Sequence, residues 1–523
     1  MSTQTPPQQG QLKPNALGLV GVLFFVVAFS APITAMLANT PFAVGFGNGT
    51  GAPAGFIVAC VILAIFSVGF VALAKHITAA GAFYTFVSRG LGRAPGFGTG
   101  WMSMVAYMAI EAALIGVFSV FCNGFFLNTF GVDIPWIVFG AVGIVLIGLL
   151  SWFDISVAAK VLGVVLVIEV ALLLLMAFGV LFNAGNLPDG LMFESLNPIA
   201  AFQTNGLPTE LLPEVTGAAG LGLLFAFWSW VGFEATAIYG EESKDPKKVV
   251  PRATMIAVIG IGIFYTFISW MAVAGNGAEQ AVLLSQGAKD GNAFNLLYVP
   301  METFIGHWGV VGMEVFVLGG SFACALAIHN SATRYLFAFG RDGLLPKVLG
   351  KSHPKHMSPY IASTFQTVLT LVIVVICYFT GVDPYAQLYG LLAVFATVLL
   401  LCAQTVTCLA CIWFFHVKKE HPETANVFRT ILAPIIGAAG MIYVIYLLFS
   451  NFATATGDAG TTLFGQAIPY LVALVFIVPT IIALIWRSTG NQLYNRIGST
   501  VFTDIGLTTD LEPGVQSKPI DRA

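Results

Sequence analysis

Charge is scarce in this sequence. Asp, Glu, Lys and Arg together make up 9% of its 523 residues, whereas 57% are hydrophobic and the mean hydropathy is +0.88. A soluble chain of this length needs a larger charged fraction to solvate its surface. The composition therefore excludes a soluble globular protein and indicates a chain embedded in lipid.

Several functional signatures are also absent. The phosphate-binding pattern G-x-x-x-x-G-K-[ST], which ATP-driven transport needs, does not occur, and no nucleophile–base constellation is visible. The seven cysteines all lie in apolar segments, so no disulfide framework is indicated. His329 has no second metal ligand at a suitable spacing, and we interpret it as structural. We predict a protein that is not an enzyme, with no cofactor, metal site or nucleic-acid partner.

Long uncharged runs dominate what remains. Crossing the hydrocarbon core takes ~20 apolar residues, and these runs are continuous rather than alternating as in a β-barrel. We therefore predict an all-α polytopic membrane protein with twelve transmembrane helices. The predicted spans are residues 17–40, 54–74, 97–125, 134–152, 156–182, 217–240, 249–275, 308–337, 359–381, 386–415, 430–451 and 465–486.

Basic residues are unevenly distributed between the predicted loops. If both termini lie inside, Lys289 is the only one of the 22 lysines and arginines outside the cytoplasmic loops, tails and span ends. Cytoplasmic loops carry an excess of Lys and Arg. The distribution thus predicts an even number of spans, cytoplasmic termini and a multi-pass location in the cell membrane.

Two predicted spans contain helix-breaking residues. The first reads "AFSAPITAMLANTP", with Pro32 in mid-span, and the sixth reads "FWSWVGFE", with Gly232 at similar depth. Irregular backbone at membrane depth is tolerated where protein or a water-filled cavity satisfies it. Interruptions at corresponding positions five spans apart are typical of an inverted repeat with its substrate site between the broken helices.

Three loops carry recognisable motifs. They read "AAGAFYTFVSRGLG" at 79–92, "EESKDPKKVVPRAT" at 241–254 and "NSATRYLFAFGRDGLLPKVLGKSHPKHMSPYIA" at 330–362. In this order and at these topological positions, they resemble the amino acid–polyamine–organocation permease family over about residues 17–415. The resemblance implies the leucine-transporter-like fold, with a 5+5 inverted repeat and two peripheral helices, and secondary active transport of an amino acid or amine.

The resemblance also implies a division of the chain. It comprises a cytoplasmic tail (1–16), a first repeat (17–182), an extracellular loop (183–216), a second repeat (217–415), two peripheral helices with the preceding loop (416–487) and a cytoplasmic tail (488–523).

The first span departs from the family pattern. Amino acid carriers of this family usually have a G-S-G-like stretch whose amides bind the substrate carboxylate, whereas this chain has Pro32, which supplies no amide. Putrescine importers of the family can carry a comparable proline–threonine stretch, so an amine substrate stays open. The candidate substrate-contacting residues are Ser30, Ala31, Pro32, Ile33, Thr34, Tyr107, Glu111, Phe227, Trp230, Gly232 and Glu234.

Buried acids are costly in a membrane and usually face a partner or a cavity. Glu111, one turn from Tyr107, is a candidate countercharge for a substrate ammonium group or a protonated acid packed between helices. Several proton-coupled relatives have a lysine at the position of Glu169, which we interpret as a proton acceptor or as a static partner of the broken first span. Ser321 is available for a sodium site. Glu234 follows the break in the sixth span. We interpret it as a gate, as a structural residue or as a residue that contacts the substrate.

We therefore predict a secondary active transporter that imports an amino acid by alternating access, driven by a proton gradient. The alternatives are an organic amine or polyamine as substrate, sodium coupling, and exchange without an ion. A channel would need a continuous polar path, and a sensor would usually carry a larger cytoplasmic module than these tails. Its expected partners are the small-molecule substrate and membrane lipid.

Overall fold

The computed structural model describes residues 17–79, 81–152, 155–203, 218–288, 291–450, 452, 459–503 and 506–509. The predicted tail 1–16, residues 204–216 of the predicted loop 183–216 and residues 510–523 lie outside this description. Within the described ranges the chain is predominantly helical. The helices are α1 (Leu19–Ser30), α2 (Pro32–Pro41), α3 (Ala52–Ala74), α4 (Phe83–Gly90), α5 (Arg93–Phe130), α6 (Trp136–Ser151), α7 (Ile155–Phe182), α8 (Ala219–Trp228), α9 (Ala235–Ile238), α10 (Pro246–Asn276), α11 (Ala278–Ser285), α12 (Asn295–Phe304), α13 (His307–Arg341), α14 (Tyr360–Phe379), α15 (Gly390–Ile412), α16 (Ala433–Ser450), α17 (Leu463–Ser488) and α18 (Gln492–Arg496).

Helix-like turns of other geometry continue several of these helices. Wider π-helical turns cover Phe42–Asn48, Pro384–Tyr389, Trp413–Val417 and Phe428–Leu432. Short 3₁₀ turns cover Gly49–Gly51, Ala184–Asn186, Phe193–Leu196, Pro198–Phe202, Gly240–Glu242, Lys347–Gly350 and Pro422–Thr424.

The C-terminal region contains two short strands that the sequence did not predict. Strand β1 (Thr500–Thr503) pairs antiparallel with β2 (Gly506–Thr509), and Thr500 lies opposite Thr509. These strands are an addition to the predicted all-α class. The signal was weak because strands of four residues are too short for an alternating pattern to stand out.

Nine helical stretches in the described ranges are long and apolar enough to cross a membrane. The longest, Leu19–Ala74, contains α1, α2 and α3, and the apolar helices α6 and α8 are shorter. These findings confirm the predicted class, a helical protein with multiple membrane-spanning segments. The count of twelve and the inverted repeat remain predictions.

Helix α5 lies centrally in the bundle and contacts α13, α15 and α17. Its small residues permit this close packing, as is usual between helices in lipid. A Cβ atom at Gly116, for example, would lie 2.7 Å from the carbonyl oxygen of Pro384. The packing directs one side of the middle of α5 toward the interrupted helices α1–α2 and α8–α9.

Candidate functional site

The first predicted break lies at Ala31, between α1 and α2. Ala31 adopts a left-handed conformation, with φ 38° and ψ 74°. Two carbonyl groups at the end of α1 are satisfied from neighbouring helices. The Cys324 thiol donates to the Phe29 oxygen at 2.9 Å, and the Tyr265 hydroxyl donates to the Ser30 oxygen at 2.6 Å. The helix can therefore end in mid-bundle without leaving these groups unpaired.

The start of α2 is held by an acid from α7. Pro32 occupies the first helical position and has no N–H group, and the next amide, that of Ile33, faces the Glu169 carboxylate. A carboxylate at a helix N-terminus interacts favourably with the unpaired amides and the helix dipole. The same carboxylate lies against Gly320 of α13, where an added Cβ atom would come within 2.5 Å of Oε1. Glu169 thus joins α2, α7 and α13 beside Ser321.

The second break separates α8 from α9. The intervening backbone turns at Gly232, whose φ of 103° is readily adopted only by glycine. The Glu234 carboxylate accepts hydrogen bonds from the Gly232 amide at 3.2 Å and from the Tyr107 hydroxyl at 2.8 Å. Because a Cβ atom at Gly232 would lie 2.6 Å from Phe29 Cβ, the two breaks are in direct contact.

A small central cavity of about 20 Å³ lies between the two breaks. This volume is enough for one or two water molecules, so the two broken helices are closed around it. No charged side chain lines it, and the buried Thr34 hydroxyl has no hydrogen-bond partner within the described structure. The lining residues are Phe29, Ser30, Ala31, Thr34, Ala35, Asn39, Ile110, Leu114, Trp228, Ser229, Val231, Cys324, Ile328 and Tyr389.

A chain of hydrogen bonds closes the cavity at the α2 end. Asn39 donates to the Ser229 hydroxyl at 2.9 Å, and the Tyr389 hydroxyl donates to the Asn39 side-chain oxygen. Trp228 Nε1 donates to the same Tyr389 hydroxyl at 2.8 Å. We refer to Asn39, Trp228, Ser229 and Tyr389 as the polar seal. It connects α2, α8 and the start of α15 across one end of the cavity.

Buried ion pairs connect the turn after α9 with the C-terminal part of α13. Arg334 Nη2 lies 2.8 Å from Glu242 Oε2, and Arg341 Nη2 lies 2.9 Å from Glu241 Oε1. The Arg334 guanidinium group also lies over the Tyr239 ring, 4.4 Å from its centroid. We refer to these five residues as the ionic clamp.

Two further contacts support this end of the molecule. The Tyr84 hydroxyl donates to Asp342 at 2.6 Å, so the three loop motifs meet here. Burial and the adjacent Asp342 carboxylate raise the pKa of Tyr84 well above its ordinary value, which keeps the phenol a donor. The backbone of Leu17 pairs with the loop after α9: its N–H donates to the Glu242 oxygen at 3.0 Å and its carbonyl accepts from the Lys244 N–H at 2.7 Å.

Glu111 lies in a separate buried network. Its carboxylate contacts His329 Nδ1 at 2.9 Å and accepts from Gln366 Nε2 at 2.7 Å. The other His329 nitrogen contacts the Ser363 hydroxyl at 2.9 Å, and Gln366 also donates to Thr370. The network connects α5, α13 and α14. It does not line the central cavity, although the flanking positions on α5, Ile110 and Leu114, do.

The structure thus brings together only part of the predicted site. Ser30, Ala31 and Thr34 line the cavity, whereas Ile33 and Glu234 shape the ends of the broken helices. The other predicted positions pack around these elements: Trp230 Nε1 donates to the Val258 oxygen at 3.1 Å, Tyr107 binds Glu234, and Pro32, Phe227, Gly232 and Glu111 are absent from the lining.

Sequence reasoning missed Asn39 and Tyr389. Asn39 carried a signal, because it is the only amide side chain in α1 and α2. Tyr389 carried none, since an aromatic residue near a span end is typical of any membrane protein. In the described part of the chain no group of three or more His, Cys, Asp or Glu residues could hold a metal ion.

This geometry, with a cavity enclosed between two interrupted helices in an apolar bundle, defines a membrane transport protein. The family model "Amino acid permease" matches residues 21–495. The chain therefore belongs to the amino acid permease family, and it is a transporter and not an enzyme. The match confirms the resemblance that the loop motifs indicated.

Curated relatives share low identity over much of the chain. The branched-chain amino acid permease BcaP of Bacillus subtilis is 22% identical, and the aligned region covers 83% of this chain and 84% of the relative. The low-affinity putrescine importer PlaP of Escherichia coli K12 is 23% identical, with 69% and 74% covered. The serine/threonine exchanger SteT of B. subtilis is 25% identical, with 58% and 64% covered.

Proposed function

We propose that this protein imports a small neutral amino acid across the cell membrane by alternating access, driven by a proton gradient. The observation that carries the proposal is a small cavity between the two broken helices that has no charged lining residue. A buried cavity of this kind favours a ligand with no net charge, because an unpaired charge is costly in a low-dielectric environment.

The cavity offers different surfaces to the two parts of an amino acid. Ile110, Leu114 and Ile328 provide an apolar wall for a side chain, while Ser229 and the unpaired Thr34 hydroxyl can bond the charged main-chain groups. The names of two relatives, a branched-chain amino acid permease and a serine/threonine exchanger, support a small neutral amino acid as substrate.

The architecture proposed for this function has twelve spans. The stretch Leu19–Ala74 would supply two of them, and the eight other long apolar stretches would supply one each. The shorter helices α6 and α8 would supply the remaining two. We propose that spans one to five and six to ten form inverted repeats, with both termini cytoplasmic. The polar seal then faces outside and the ionic clamp faces the cytoplasm.

Glu169 is the proposed proton site. It faces the Ile33 amide at the start of α2, so its protonation would weaken the electrostatic attraction that helps to hold the broken helix. Ser321 follows Gly320, against which Glu169 packs, and a sodium ion bound near Ser321 is the alternative. Proton coupling predicts that Glu169→Gln loses gradient-driven accumulation but keeps substrate exchange. Accumulation that depends on sodium and not on pH would decide for the alternative, and exchange alone would indicate an uncoupled carrier.

One observation favours an amine substrate instead. Pro32 has no N–H, and the Ile33 amide already faces the Glu169 carboxylate, so the start of α2 offers a substrate carboxylate few free donors. An amine has no carboxylate and would not need them. The 23% identity to a putrescine importer is consistent with this second candidate.

Uptake into proteoliposomes tests the two candidates. We expect accumulation of labelled valine, leucine or serine under an inward proton gradient, with little competition from putrescine. Thr34→Val should raise the KM for the amino acid about tenfold, because one hydrogen bond contributes ~1.5 kcal/mol. Thr40→Val is the matched control, since Thr40 is buried on α2 outside the cavity lining. Putrescine uptake without amino acid uptake would reject the first candidate in favour of the second.

A further inference from the structure

A second cavity lies away from the central one and shares no lining residue with it. Its volume is about 640 Å³, and it is bounded by α5, the end of α13, the following loop and α14. Its walls are almost entirely apolar and include Trp101, Met104, Leu336, Leu349 and Phe365. We refer to this cavity as the Trp152 cleft, after the tryptophan at its edge. Neither the proposed substrate path nor the coupling site uses it.

The Trp152 cleft is open to the surroundings of the bundle. Phe365 is 48% exposed, Val348 45% and Trp152 38%, so large apolar groups form its mouth. On α14 its lining runs from Tyr360 to Leu369, which corresponds to about 14 Å along the helix axis. This length is about half of the hydrocarbon thickness of a bilayer, so the cleft can accept an extended alkyl chain from one leaflet.

Two exposed lysines adjoin the lining residues at the mouth of the cleft along the chain. Lys347 and Lys351 flank the lining residues Val348 and Leu349 in a short helical turn, and both lysines are exposed. Within the described ranges neither lysine forms an ion pair. Trp152 packs against Tyr360 at a tilt of 54°, with ring centroids 5.4 Å apart, and such aromatic residues are enriched at the level of lipid headgroups. An apolar cleft below a basic rim matches an acyl chain below an anionic headgroup.

We propose that the Trp152 cleft binds one anionic phospholipid, with an acyl chain inside the cleft and the headgroup phosphate at Lys347 and Lys351. The bound lipid fills the space between α5, α13 and α14 and covers the exposed apolar mouth. The bound lipid holds the loop that begins after α13. The ionic clamp residue Arg341 lies at the end of α13, directly before this loop. The proposal does not depend on which substrate the central cavity takes.

Native mass spectrometry of the full-length protein tests this site. The protein, delipidated in detergent, is titrated with phosphatidylglycerol or with phosphatidylcholine of identical acyl chains. We expect a first phosphatidylglycerol to bind at least tenfold more tightly than phosphatidylcholine. The double variant Lys347→Gln/Lys351→Gln should remove this preference, because each lysine beside an anionic lipid contributes about fivefold.

Two further variants separate the headgroup from the cleft. Lys75→Gln/Lys419→Gln removes two exposed lysines away from the cleft and should leave the preference unchanged. Thr364→Trp places a large ring in the cleft and should weaken both lipids, while gel filtration and amino acid uptake report that the variant is folded. Equal binding of the two lipids to the wild type would overturn the proposal. So would a preference that survives Lys347→Gln/Lys351→Gln, or one lost equally in the control double variant.

Discussion

Glu111 provides the sharpest test of how this protein selects its substrate. Its carboxylate is fully buried and binds His329 and Gln366, and it is absent from the cavity lining. We expect Glu111→Gln to change the transport of neutral amino acids and of cationic amines by the same factor. A countercharge for an ammonium group would instead produce a selective loss of amine transport.

The magnitude follows from the hydrogen bonds that the substitution changes. A glutamine at position 111 keeps one acceptor oxygen but presents an NH₂ group to a second donor, either His329 or Gln366. A buried donor left without its acceptor costs ~1–3 kcal/mol, and hydrogen bonds between membrane helices contribute ~0.6–2 kcal/mol. We therefore expect Glu111→Gln to lose about 1–3 kcal/mol of stability, a factor of about 5 to 150 in the folding equilibrium.

The assay combines thermal unfolding of the purified protein with uptake per folded molecule. Glu314→Gln is the matched control, because the Glu314 carboxylate binds Asn128 at an exposed position and should change stability by no more than ~0.5 kcal/mol. A stability loss in Glu111→Gln with an unchanged ratio of amino acid to amine uptake is the expected result. An unchanged stability together with a selective loss of amine uptake would refute the reasoning.

Three further predictions concern backbone, closure and pH. Gly232→Ala should lose about 2–5 kcal/mol of stability, because alanine is strained at φ 103° and its Cβ would meet Phe29. Gly260→Ala is the control, because nothing lies near a Cβ at that position. Equal unfolding temperatures for the wild type and Gly232→Ala would contradict the prediction. Tyr389→Phe removes two hydrogen bonds of the polar seal. A cysteine introduced in the cavity should therefore react faster with a thiol reagent added on the side of the polar seal. An unchanged reaction rate would show that the seal does not limit access to the cavity. Burial and the stacked His421 lower the pKa of His76 from 6.5. The neutral His76 therefore contributes stability above pH 6.5, and this contribution is lost as the pH falls below 6.5. If the unfolding temperatures of the wild type and His76→Phe respond identically to acidification, this contribution is excluded.

Residue chemistry made the break in the first span predictable. A proline in mid-span removes an N–H and excludes a regular helix turn before it, and the observed break lies one residue earlier, at Ala31. Gly232 gave an equally local signal, because only glycine adopts its backbone conformation without strain. Local backbone chemistry therefore located both elements that enclose the cavity.

The partners of the buried acids could not be predicted in the same way. His329 is 218 positions from Glu111, and Glu234 is 127 positions from Tyr107, and no local pattern connects such residues. Helical spacing correctly put Tyr107 and Glu111 on one face of α5, yet one turn of the helix separates two different buried environments. Which neighbour a residue meets depends on how α5, α13 and α14 pack, and single-residue propensities do not encode that packing.

The pairing of Leu17 with the loop after α9 has a consequence for how far this sequence can diverge. Both hydrogen bonds join main-chain atoms, Leu17 to Glu242 and Lys244 to Leu17. Any residue with an N–H can form them, so side-chain substitutions at these positions leave the connection between the two interrupted helices in place. Proline at position 17 or 244 is the exception, because it removes a donor. The contact therefore constrains the geometry of the chain while leaving the identity of these residues free.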